Sequence, residues 1–181
     1  MAEMTQVRLS GFGGQGIILA GLLLGQAGVI EGKNVAGSGS YGAQARGSGC
    51  KAEIVFSSSS IDFPQLVTTD ILVVMSQGAY HAYCKDVREQ GLIFYDEGLV
   101  TPEEGLSVKQ RGVAATEISI KKFKNKQVAN IVLLGAVVEA TKMVSSKAIR
   151  KAITLHIGER FRTLNLKALR TGMELGKLID V

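Results

Sequence analysis

Gly11-Phe12-Gly13-Gly14-Gln15-Gly16 stands between a short apolar run, Val7 to Ser10, and a long apolar segment, Ile17 to Ile30. Glycines at the first, third and sixth places let a backbone turn sharply out of a strand, admit a close neighbour, and bring a helix down onto a sheet. The spacing predicts strand, turn, helix, with the first amides of the helix facing outward toward a phosphate, a carboxylate or another chain. A dinucleotide fold also needs a carboxylate closing its second strand, about 20 residues on, to hold a ribose. That strand would be Lys33 to Ala36, which runs into Gly37-Ser38-Gly39-Ser40 with no acidic residue, while Glu31 precedes it at the end of the helix. The second half of a nicotinamide or flavin site is therefore missing.

Outward from the turn, Ile17 to Ile30 is apolar nearly all round and carries Gly21, Gly25 and Gly28 on related faces. An interior glycine costs a helix about 1 kcal/mol relative to alanine, so three predict very close packing on the sheet or on another subunit. Gly32 is placed as a C-cap. Residues 37–49 read as a glycine-rich loop, too long for a simple turn and of the kind that carries function. In it, Tyr41 can stack or donate a hydroxyl, and Arg46 can grip a carboxylate or phosphate with two bonds.

Beyond, Cys50 to Phe56 alternates with period two, as a half-buried strand does. Asp70 to Met75 is a continuous apolar, β-branched run, which marks a central parallel strand covered on both faces. A helix from about Gln77 to Arg88 and a strand from Gly91 to Tyr95, closed by Asp96, follow; Thr101 to Arg111 reads as an excursion and Gly112 to Ala115 as a short strand. The remainder is helical: Asn125 to Met143, a helix opened by Ser145 and ended by Gly158, and Leu164 to Ile179. Strands alternating with helices predict an α/β chain, a three-layer Rossmann-like domain with a mostly parallel sheet and a helical C-terminal part, formed as one domain over residues 1–181.

With 181 residues, 46% of them hydrophobic, the chain can bury one sizeable core. Cys50 and Cys84 form no C-x-x-C pair and have no nearby histidine, which fits a reducing compartment and argues against a metal or iron–sulfur site on this chain. The first residues lack a basic export region, and Ile17 to Leu24 is too short to span a bilayer, so a cytoplasmic location is expected, away from membranes. A net charge of +5 invites a nucleic-acid reading. The basic residues are scattered, however, except for Lys121, Lys122, Lys124 and Lys126, and no aromatic residues interleave with them, so a solvated face or a dock for an acidic protein is expected instead. The acidic pairs Asp96-Glu97 and Glu103-Glu104 lie in loop-like surroundings without a base partner and are expected to be solvated. No G-x-S-x-G elbow, phosphate-binding G-x-x-x-x-G-K-[ST] or H-E-x-x-H is present.

Five stretches taken together, Gly11 to Gly16, Ser40 to Gly47, Ile61-Asp62-Phe63-Pro64, Asn125 to Asn130 with Leu134-Gly135-Ala136, and Leu164-Asn165-Leu166-Lys167-Ala168-Leu169, resemble the gamma subunit of 2-oxoacid:ferredoxin oxidoreductases, most closely the 2-oxoglutarate branch. The resemblance implies a multi-subunit complex that oxidatively decarboxylates a 2-oxoacid, forms an acyl-CoA such as succinyl-CoA with coenzyme A, releases CO2 and reduces ferredoxin. It implies alpha, beta and delta-type partner subunits that hold thiamine diphosphate, Mg and iron–sulfur clusters, leaving no catalytic or cofactor-binding residue on gamma. By the same resemblance, Gly11, Gly13, Gly14, Gln15 and Gly16 abut a partner near the coenzyme A approach, and Ser40, Tyr41, Gly42, Arg46 and Gly47 form a second loop facing the same region. Arg46 would supply positive charge toward an anionic group there. The chain has Ala43-Gln44 where the family usually has Pro-Glu, and Ser48 where a second glycine follows Arg-Gly, leaving a less preordered loop. The competing expectation is a free-standing nucleotide-binding regulator or carrier, which the missing ribose carboxylate opposes.

Overall fold

Val7 and Leu9 point to one face of strand β1 (Met4–Phe12) and Arg8 and Ser10 to the other, and the sheet is laid out around this strand. The computed structural model describes residues 4–41 and 49–181. It contains β2 (Asn34–Tyr41), β3 (Gly49–Ser57), β4 (Thr69–Val74), β5 (Val87–Asp96) and β6 (Lys109–Val113) in the order β2-β3-β1-β4-β5-β6. β3 runs antiparallel to both β1 and β2, and β4, β5 and β6 continue parallel to β1, so β3 alone is reversed.

Among the described residues, six α-helices accompany the sheet: α1 (Ile17–Ile30), α2 (Gln77–Tyr83), α3 (Ala115–Phe123), α4 (Ala129–Thr141), α5 (Ser146–His156) and α6 (Glu159–Gly176). The main core lies on the Val7–Leu9 face, where Ile71, Val73 and Phe94 meet Leu23, Leu24, Ile131 and Leu134 of the helices. The opposite face buries Leu72, Val74 and Ile93 under Ala79 and Tyr80 of α2. The alternation in β4 thus feeds two cores, which is why its sequence is apolar at every position.

The glycines of α1 are spent mostly on the sheet. A Cβ at Gly21 would lie 2.5 Å from Ala52 Cβ, and one at Gly28 would lie 2.4 Å from the Phe56 ring, whereas Gly25 leaves ordinary spacing to Val35. Gly32, at φ 76°, ends the helix in the left-handed region as its position predicts. Ser145 caps α5 by accepting from Ala148 N–H at 3.2 Å.

Several boundaries differ from the sequence reading. Gly37 to Ser40 are not loop: they extend β2, in unbroken register with β3 from Asn34↔Ser57 to Tyr41↔Cys50. Their strand state comes from backbone pairing, which needs no side chain, and small size admits α1, since a Cβ at Gly39 would fall 2.9 Å from Ile18 Cδ1. The helix expected to reach Arg88 stops at Tyr83 and passes through one 3-10 turn, because Val87 already pairs with Thr69 and Arg88 is held by Asp70 at 2.9 Å. Residues 88–91 bulge out of register, tightly enough that a Cβ at Gly91 would meet Asp70 O at 2.8 Å. The strand expected over Gly112–Ala115 is shifted to Lys109–Val113, and Ala115 opens α3. In the segment expected to be one helix from Asn125, a 3-10 turn at Lys126–Val128 precedes α4.

Arg8 is buried on the α2 side of β1, 2.9 Å from Glu53 and 2.8 Å from Asp86, with its guanidinium 4.5 Å from the centre of the Tyr83 ring. Burial by itself would raise the Glu53 carboxyl, but hydrogen bonds from Lys51 and Arg8 and their charges outweigh it and hold it below the usual range. A group depressed in the folded state stabilises above its unfolded pKa and loses that contribution as pH falls through its folded value. Stability is therefore expected to decline as pH drops through and below the ordinary glutamate range. Urea midpoints of Glu53→Gln measured across that range should show a shallower decline; parallel curves would reject the assignment.

Candidate functional site

The carboxyl ends of β1, β4 and β5 meet a cavity of about 330 Å³ lined by Gly13, Gly14, Gln15, Met75, Leu99 and Thr116, with Lys126 and Gln127 on its far wall. This is the end of an open α/β sheet where ligands and partners bind. The glycine turn forms one lip. Gly14 and Gly16 take φ 96° and 75°, and Gly16 serves as N-cap of α1 without a side-chain cap.

Gln15 folds back over the turn. Its Oε1 accepts from Phe12 N–H at 2.6 Å, and its Nε2 donates to Met75 O at 2.6 Å. Gly11 makes room for this, since a Cβ there would stand 2.4 Å from Gln15 Oε1. The side chain thus consumes an amide of the turn and ties β1 to β4. Burial pushes the Cys50 thiol up, and the nearby Ile18 amide at the start of α1 only partly offsets it.

Asn130 closes the underside. Nδ2 donates to Gly16 O at 3.0 Å, and Oδ1 accepts from Ile131 N–H at 2.9 Å. The glycine turn and the Asn125–Asn130 stretch, 114 residues apart at this contact, are therefore one constellation. Asn125 holds the 3-10 turn that presents Lys126, its Oδ1 accepting from Gln127 N–H at 2.9 Å.

The other wall is fixed by Asp96, which is not solvated as expected but fully buried. Its Oδ2 accepts from Thr116 N–H at 3.0 Å and Thr116 Oγ1–H at 2.6 Å, and its Oδ1 from Gly98 N–H at 3.2 Å. A carboxylate at the first turn of α3 complements the helix dipole and sets where Thr116 and Leu99 sit. Glu103 likewise has a base partner, contrary to expectation: its Oε1 is 3.1 Å from His81 Nδ1. Gln77 holds the same excursion by accepting from Thr101 N–H at 2.7 Å, and Tyr80 Oη accepts from Glu103 N–H at 2.8 Å. Burial raises the Tyr80 hydroxyl, so it stays neutral and bonded.

Of the residues singled out from the sequence, Gly13, Gly14 and Gln15 line the cavity, and Gly11 and Gly16 support it from behind. Ser40 and Tyr41 reach the same end of the sheet, exposed, but do not line the cavity: the row Gly11↔Cys50↔Tyr41 places β3 between their strand and β1. The two strands are thus not adjacent, and the displacement of about 4.8 Å per strand removes the second strand from where a dinucleotide ribose would sit. Gly42, Arg46 and Gly47 lie outside the described residues. Asp96, Thr116, Leu99 and Asn130's hydrogen bond to the turn were missed as site elements. Asp96 ends β5 and Thr116 lies in the first turn of α3, 20 residues on, so no local spacing in the sequence links the first two.

Residues 6–175 match the family described as pyruvate ferredoxin/flavodoxin oxidoreductase. The chain is 41% identical over 175 residues to the 2-oxoglutarate synthase subunit KorC of Methanocaldococcus jannaschii, covering 95% of this chain and 94% of the relative. It is 36% identical to the KorC subunit of Archaeoglobus fulgidus, covering 99% and 91% of the two chains. Among solved structures, the keto/oxoacid ferredoxin oxidoreductase gamma subunit of Geobacter sulfurreducens superposes with a TM-score of 0.87 at 34% identity, covering 98% of each chain.

Proposed function

This chain belongs to the pyruvate ferredoxin/flavodoxin oxidoreductase family as a gamma subunit of a 2-oxoacid:ferredoxin oxidoreductase, and from that premise we propose that it serves the 2-oxoglutarate reaction. The observation that carries the substrate assignment is full-length similarity to chains named 2-oxoglutarate synthase subunit, against 27% identity to the pyruvate/ketoisovalerate common gamma subunit of Pyrococcus abyssi. The complex takes 2-oxoglutarate, coenzyme A and ferredoxin to succinyl-CoA, CO2 and reduced ferredoxin. Gamma contributes shape and charge at the alpha–beta active site rather than a reacting group.

The carboxyl-end crevice supports that division of labour. Its polar side chains are Gln15, Thr116, Lys126 and Gln127, which can position and attract but include no nucleophile–base pair. Among the described residues no three of His, Cys, Asp and Glu converge as metal ligands, and both cysteines are buried and free. On this reading the donors for iron–sulfur clusters and for a magnesium–diphosphate unit are supplied by the partner subunits. Gln15 spends an amide of the glycine turn internally, so the turn works as a firm lip against a neighbour. Lys126, exposed on the cavity lining, supplies positive charge toward an anionic group such as a coenzyme A phosphate or an alpha-subunit carboxylate. Arg46, outside the described residues, is assigned the same role by the resemblance.

Co-expression of the alpha, beta and delta partners with and without this chain tests the reading through coenzyme A-dependent reduction of methyl viologen. The four-subunit complex should turn over 2-oxoglutarate well above pyruvate, and omission of this chain should remove most of that activity. A purified solitary chain that oxidises the oxoacid, or holds stoichiometric nicotinamide or flavin, would overturn it.

A further inference from the structure

A second cavity, of about 500 Å³, opens at the opposite end of the sheet, where β1, β4 and β5 begin. Thr5 on its wall and Phe12 stand at the two ends of β1, so about 20 Å or more separates this cavity from the carboxyl-end crevice. Its volume falls in the range of small-molecule sites. Phe56, Ile71, Leu92 and Met143 give it an apolar floor, and Lys33, Arg88 and Lys142 bring three cations to it.

The arginine is oriented by a residue that leaves its far end free. Residues 88–91 depart from the β4–β5 register, and such a bulge re-aims side chains, here setting Arg88 and Gln90 on the cavity wall. Asp70, 5% exposed, accepts from Gln6 N–H at 2.6 Å and steadies Arg88 Nε at 2.9 Å. Among the described residues no acceptor meets the terminal guanidinium nitrogens, so the planar end of Arg88 can grip an oxyanion with two bonds. Asp70 is also the one carboxylate side chain among the residues that line the cavity. Glu31 and Glu139, which pair with Lys33 and Lys142, line a separate depression that shares only Lys142 with this one. The balance inside the cavity is therefore positive.

The floor narrows the body of the ligand. Phe56 is 4% exposed; α1 presses on its ring, where a Cβ at Gly28 would come within 2.4 Å, and Lys33 Nζ stands 5.7 Å from the ring centre. No open aromatic face is left for a nucleobase to stack on. We propose that this cavity binds an amphipathic oxyanion, a compact aliphatic body carrying one carboxylate or phosphate group. The headgroup lies against Arg88 and Lys142, Lys33 adds charge while it donates to Met143 O, and the body covers Leu92 and Met143.

Isothermal titration of the full chain with octanoate, octyl phosphate, inorganic phosphate and octanol tests the proposal. Octanoate or octyl phosphate should saturate one site at least about tenfold more tightly than inorganic phosphate and octanol, and the tighter of the two identifies the headgroup. Arg88→Gln should weaken that binding about tenfold or more. Lys142→Ala, at a side chain 68% exposed, should weaken it about two- to fivefold, and Lys151→Ala, on α5 outside the cavity, should leave it unchanged. Arg88→Gln leaves the buried Asp70 without its ion pair, so Lys142→Ala decides if that variant does not fold. Absence of saturable binding by both amphiphiles overturns the site. Equal affinity for inorganic phosphate, an adventitious ion only, or for octanol overturns the amphipathic assignment. Unchanged affinity in both Arg88→Gln and Lys142→Ala places the binding elsewhere and overturns it as well.

Discussion

Gly172→Ala is expected to lower stability by about 3 kcal/mol or more, a loss that few single methyl additions produce. A Cβ at Gly172 would stand 1.9 Å from Val132 O, 2.8 Å from Val132 C and 3.0 Å from Ala136 N. All three are backbone atoms of α4, so no side chain can rotate out of the way and the two helices must separate. The crossing is reciprocal, because Gly135 on α4 faces Leu169 O at 2.5 Å and Gly176 on α6 faces Ala136 O at 2.5 Å. Separating them loosens Ile131, Leu134 and Leu169, all fully buried in the main core. In urea the midpoint should fall at unchanged slope, and the thermal midpoint should drop by roughly 6–12 °C for a chain of this size. Gly158→Ala, at the start of α6 with open space around it, should cost no more than about 1 kcal/mol. Equal midpoints for the two variants would show that the α4–α6 crossing adapts.

The same crossing explains how much of the molecule was legible. Leu134-Gly135-Ala136 and Asn165 to Leu169 stood out in the sequence as matching stretches, and their meaning is contact with each other. β4 was readable because an unbroken apolar run has one physical use, burial on both faces. Gly32 and Ser145 were readable because caps depend on local chemistry alone. What escaped depended on partners remote in the chain. Gly37 to Ser40 carry no strand propensity, and only pairing with β3 makes them a strand. The insertion of β3 between β1 and β2, which removes the dinucleotide geometry, leaves no mark in either strand's composition. Asp96 looked like any loop carboxylate until Thr116, 20 residues on, supplied its donors. The His81–Glu103 pair likewise spans 22 residues of intervening strand and loop. The candidate site was thus half visible: its glycine lip by spacing, its supporting walls not at all.

Gly16→Ala is the second large effect, expected at about 3 kcal/mol, and it links the lip to its support. At φ 75° an alanine is strained by about 1–2 kcal/mol. Its Cβ would also press to 2.2 Å from Asn130 Nδ2, displacing a buried amide that bonds both Gly16 O and Ile131 N–H. Breaking those bonds adds about 1–2 kcal/mol. Asn130→Ala alone should cost about that second amount, because it leaves the same groups unpaired without the strain. The double variant should therefore be more stable than the sum of the two by about 1 kcal/mol or more, the clash having been counted twice. Urea unfolding of the four proteins measures this coupling, and strict additivity would mean that Asn130 moves aside at no cost. The same cycle has a functional reading. Asn130→Ala leaves the turn its native dihedrals and should retain the partner subunits in pull-downs, whereas Gly16→Ala moves the lip and should lose them. If both retain partners equally, the lip is a structural bend and not a contact surface.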